Sequence, residues 1–103
     1  MLDSDDLFDP TTRGMLEQII DKCIEAIPEL MPEYRNEDVR GAWMYDKAED
    51  FVLGLTIGMI CAYFEGGFFS GHHRQLTVEE RSEVMSIVTL RMPQIREALF
   101  KAG

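Results

Sequence analysis

The sequence predicts an all-α protein, a compact helical bundle of three long helices with one or two short ones. Three observations carry that prediction. Apolar residues recur at three- and four-residue spacing over two long stretches. A third stretch, Phe51–Tyr63, is apolar on every side of a helix. No segment alternates apolar and polar residues in the manner of a half-buried strand. A chain of 103 residues fits one domain, so residues 1–103 read as a single helical unit with an acidic N-terminal tail at 1–9.

The first helix starts at "DPTT". Asp9 is placed to cap, and Pro10 suits the first helical position because its missing N–H has no partner there. Met15, Leu16, Ile19, Ile20, Cys23, Ile24 and Ile27 form one apolar face. Proline lacks a donor and clashes with the preceding turn, so Pro28 is expected to end this helix and Pro32 to keep the following stretch irregular.

The central helix is expected to begin between Trp43 and Asp46 and to end near Phe64, where Gly66 and Gly67 favour a helix stop. Its fully apolar middle makes it the core of the fold. Gly54, Gly58 and Ala62 stand four residues apart and share one face. Glycine inside a helix costs about 1 kcal/mol relative to alanine, so a close helix crossing is the expected reason for them. Two other long helices are too few to sheathe a helix that is apolar all round. A second copy of the chain is the expected cover, giving a homodimer with Gly54, Gly58 and Ala62 at its interface. The charge-free run is shorter than the ~20 residues a bilayer requires, which argues against a membrane span.

The stretch "EGGFFSGHHRQ" reads as a loop after the central helix. Phe68 and Phe69 are its candidate partner or pocket residues, together with Trp43. Beyond it, Thr77 and Glu80 have capping-box spacing. The last long helix then runs from Val78 towards Phe100, with Pro93 either kinking it or starting a new helix.

Charge limits the functional classes. The formal net charge is −9. Residues 1–50 hold fourteen acidic and five basic side chains, whereas 51–103 hold five of each. The whole excess lies in the front half. Direct nucleic-acid binding would require the opposite sign. Glu17, Asp21 and Glu25 lie four apart on the first helix, with Glu29 and Glu33 continuing the pattern past Pro28. Carboxylates so spaced on a helix stand roughly 6 Å apart, which a nucleic-acid mimic would exploit.

Catalysis finds no support in the sequence. There is no phosphate-binding glycine loop and no nucleophile elbow. Cys23 and Cys61 lie in apolar settings where a thiol is inert. Glu65, His72 and His73 are the leading candidate metal ligands, with Glu79, Glu80 or Glu83 able to complete a site in space, and adjacent histidines rarely reach one ion. No cofactor is expected. The N-terminus has no signal-peptide pattern, so the expected location is cytoplasmic.

The sequence therefore predicts a non-catalytic protein–protein interaction or regulatory module that homodimerises through its central helix. Its expected partners are itself and an unidentified protein, a basic one where the acidic front half is the contact surface. One alternative is an acidic inhibitor or nucleic-acid mimic that occupies a basic partner surface. The other is a metal- or small-ligand-binding protein using the Gly-Phe-Phe/His-His loop.

Overall fold

The structure, a computed structural model, describes residues 7–102. The first six residues of the acidic tail lie outside the described residues. Five helices follow in order: α1 (Pro10–Arg35), α2 (Glu37–Trp43), α3 (Ala48–His72), α4 (Val78–Leu90) and α5 (Met92–Ala102). No strand occurs among the described residues, and the protein is all-α.

The caps follow the side-chain chemistry. Asp9 accepts a hydrogen bond from the Thr12 amide at 2.7 Å, and Pro10 opens α1. At α4 the Thr77 hydroxyl accepts from the Glu80 amide at 3.0 Å, and the Glu80 carboxylate accepts from the Thr77 amide at 2.8 Å. Asn36 serves two helices, ending α1 and capping α2 through its side-chain oxygen.

α1 does not stop at Pro28. It continues through both Pro28 and Pro32 to Arg35, correcting the expected boundary. Each proline removes one helical hydrogen bond and costs about 3 kcal/mol in a helix interior. Packing outweighs that local penalty. Ile27 and Met31 are fully buried and continue the row of Leu16, Ile20 and Cys23. Both prolines are exposed, so their rings sit on the outer side of α1, away from the packed row.

α3 starts later than expected, at Ala48, and does not end at Gly66–Gly67. The stretch expected to be a loop is two further helical turns, closed at His73 in the left-handed conformation (φ 57°). Aromatic packing holds this extension. Phe68 lies one turn beyond Phe64, both are buried, and the Phe8 ring meets each edge-on at centroid distances of 6.1 and 5.3 Å. His72 stacks on Phe68 at 4.1 Å, and the Arg74 guanidinium lies 5.0 Å from the centre of the same ring. Gly66 and Gly67 tolerate a helix, and the phenylalanines on either side make one favourable.

The last helical stretch divides at Arg91. Pro93 sits in the first turn of α5, where its missing donor is harmless. Arg91 closes this junction against α1, donating to Glu17 at 2.6 Å and to Asp21. The core is the seam where α1, α3, α5 and the inner face of α4 meet around Ile20, Ile27, Ile60, Phe64, Val88 and Ile95.

Candidate functional site

The central helix is not buried on every side, as its composition predicts. Ala48, Val52, Thr56, Ile60, Phe64 and Phe68 form one fully packed row at four-residue spacing. Within the most apolar window of α3 only 28% of residues are buried. The reason is the supply of neighbours: α1 and α5 cover one side of α3, and among the described residues no element lies across the opposite one.

That opposite side carries Gly54, Gly58 and Ala62, and the helical extension adds Gly66 to the same row. All four are exposed. A methyl group built onto Gly54, Gly58 or Gly66 would meet nothing within 4 Å. Nothing in the packing of the described residues requires glycine at these positions. Large apolar groups flank the row: Phe51, Leu55 and Met59 are half-buried, while Tyr63 and Phe69 are exposed. The sequence reading missed Gly66 because it ended the helix there; a four-residue step from Ala62 was the available signal.

The open face has two different borders. Along one, α1 and α3 form a 410 Å³ apolar groove lined by Ile19, Lys22, Cys23, Ala26, Met59 and Tyr63. Along the other, α3 and α4 enclose a 150 Å³ cleft lined by Cys61, Glu65, Leu76, Arg81, Val84 and Met85. The Cys61 thiol lies 3.9 Å from the Met85 sulfur. Both cysteines are free. Burial pushes both thiols up, and Glu65 adds to the effect at Cys61, so neither is activated as a nucleophile.

The other candidate residues are scattered rather than assembled. Phe68 is 2% exposed and belongs to the core, whereas its neighbour Phe69 is 53% exposed. Trp43 ends α2 and is largely exposed, with Tyr34, Tyr45 and Phe51 forming an aromatic cluster beside it. Glu65 stands on the α4 border of α3, while His72 and His73 lie two turns further on at its C-terminal end. No group of three metal-ligating side chains forms among the described residues.

Because α1 is continuous, it carries all five carboxylates at four-residue spacing: Glu17, Asp21, Glu25, Glu29 and Glu33. Arg91 pairs with the first two, and Arg13 also pairs with Glu17 at 3.5 Å. Glu25, Glu29 and Glu33 remain exposed. Sequence reading had no means of finding Arg91, whose partners lie 74 and 70 residues away.

Compared with protein-family models, curated proteins and solved structures, the chain matches none.

Proposed function

We propose that the protein is a non-catalytic interaction module that self-associates through the open face of α3. One observation carries this reading: the glycines at 54, 58 and 66 sit in a helix with open space where a side chain would go. Each costs about 1 kcal/mol of helix stability relative to alanine, and no contact among the described residues offsets it. A neighbouring backbone lying close against the row would use the space they leave.

A second copy suits this face because the surface is apolar and lacks charge from Phe51 to Phe64. Two copies of a chain with net charge −9 repel least through their least charged surfaces. A bilayer is a poorer cover. α3 is long and apolar enough to cross one by length and composition. However, it packs along α1, whose outer side carries the five carboxylates, and ionised carboxylates are costly in hydrocarbon.

Gly58→Leu tests the proposal. Light scattering should show the paired species lost while circular dichroism shows the helical content kept. An unchanged mass in the variant contradicts the reading.

A second reading, the acidic mimic, is favoured by the continuity of α1 alone. It predicts salt-sensitive binding to a basic protein that weakens when Glu25, Glu29 and Glu33 are changed to lysine. Binding indifferent to salt removes it.

A further inference from the structure

One crevice brings together charges of both signs that do not pair with one another. It lies where the end of α1, the start of α3 and the end of α5 meet, and its volume is 370 Å³. We propose that this crevice binds a small zwitterion with an apolar side chain, the class to which free α-amino acids belong.

Three helices supply the walls. Arg35 closes α1, Glu49 and Asp50 lie in the first turn of α3, and Arg96 stands on α5. Leu53 lies one turn beyond Glu49, and Phe100 one turn beyond Arg96, so charged and apolar groups share a helix face on both sides. Leu99 is buried, Leu53 is half-buried, and Phe100 is 84% exposed. An apolar floor with a few polar groups is the usual make-up of a small-ligand site. Such sites span roughly 300–1,000 Å³, so this one suits a small ligand.

The pairing of charges separates this crevice from its neighbours. A groove between α1 and α5 also mixes signs, but there Arg91 pairs with Asp21, and Lys101 with Glu97 at 3.4 Å. In the α1–α3 groove the charged residue is Lys22, which alone would not orient a ligand. Here no ion pair joins Arg35 or Arg96 to Glu49 or Asp50. Local structure explains part of the arrangement. Carboxylates in a first turn complement the helix dipole, and Arg35 donates to the Ala102 carbonyl at the end of α5. Arg96 has no such role, and it makes no ion pair among the described residues.

A zwitterion satisfies both signs at once. A guanidinium presents parallel donors that fit a carboxylate. An ammonium donates in several directions and suits two neighbouring carboxylates. The ligand's side chain then covers Leu53, Leu99 and Phe100. A ligand of one sign alone would face two repelling groups. Binding here requires no second copy, so ligand contacts and mass are separate readouts.

Amide chemical-shift titrations of the full chain with L-phenylalanine and L-leucine test the site. Phenylpropionate lacks the ammonium of phenylalanine, and phenethylamine lacks its carboxylate. The amino acids should give saturable shifts centred on Arg35, Asp50 and Arg96. Each one-charge analogue should bind about tenfold more weakly than phenylalanine. Arg96→Gln and Glu49→Gln should each weaken binding of phenylalanine about tenfold. Both side chains are exposed, so circular dichroism should show the fold kept. No saturable shift with either amino acid, or shifts centred elsewhere, overturns the site. Variants that bind like the wild type also overturn it. Analogues that bind as well as phenylalanine overturn the zwitterion assignment.

Discussion

The two sides of α3 contain equally apolar sequence and have opposite surroundings. On one side Ile60 and Phe64 are fully buried among α1, α5 and Phe8. On the other, Gly58 and Ala62 face open space. Side-chain size separates them. Large residues fill a contact made within the chain, whereas small residues in a row leave room for a backbone that the described residues do not supply. Hydrophobicity shows that a surface is best kept from water; size shows how close the covering element comes.

The largest expected effect lies on the packed side. Ile60→Ala should destabilise the single chain by roughly 2–5 kcal/mol through lost transfer energy and the cavity left behind, measured by urea unfolding. Ala62→Leu, two residues away, should leave the unfolding of the dilute chain nearly unchanged. A comparable loss at both positions would erase the distinction between the sides.

Next in size is the clasp that closes the end of the packed row. Arg74 donates two hydrogen bonds to Glu80, at 2.8 and 3.0 Å, while lying over Phe68. The Arg74 guanidinium, with the Thr77 cap, holds the Glu80 carboxyl down at about 2 against an ordinary 4.5. Because the folded value is depressed, the stabilisation is complete above about pH 4.5 and is lost as pH falls towards 2. Glu80→Gln should cost about 1–2 kcal/mol at pH 7 and flatten the acid limb of the stability curve, measured by thermal melts from pH 7 to 2.

Thr56 sharpens the comparison from within the packed row. Its hydroxyl is fully buried with no hydrogen-bond partner among the described residues. Thr56→Val keeps the shape and removes the unsatisfied group, so it should stabilise the chain by about 1 kcal/mol, raising the urea midpoint. The smallest effect belongs to the open side. Gly58→Ala should raise the stability of the dilute chain by about 0.5–1 kcal/mol while weakening self-association. The two changes have opposite signs only if the glycine serves a neighbour.

Much of the helical plan is legible in the sequence, because it rests on local rules. The Asp9 and Thr77 caps and the apolar periodicity of α1 depend on groups within a few residues of one another. The elements that escape local reading are those where tertiary packing overrides a local breaker. Pro28 and Pro32 stay helical because Ile27 and Met31 are buried, and Gly66–Gly67 stay helical because Phe64, Phe68 and Phe8 pack together. The same misjudged boundary hid Gly66 from the candidate site. Arg91 was invisible for another reason: its ion pairs are made by the fold and are far apart in the chain.

The central claim is that the open side of α3 is covered by a second copy. Sedimentation velocity of the wild-type chain over a dilution series tests it most directly. The account predicts one boundary at the mass of a pair, shifting to that of a single chain on dilution. A single-chain species at every concentration would contradict it.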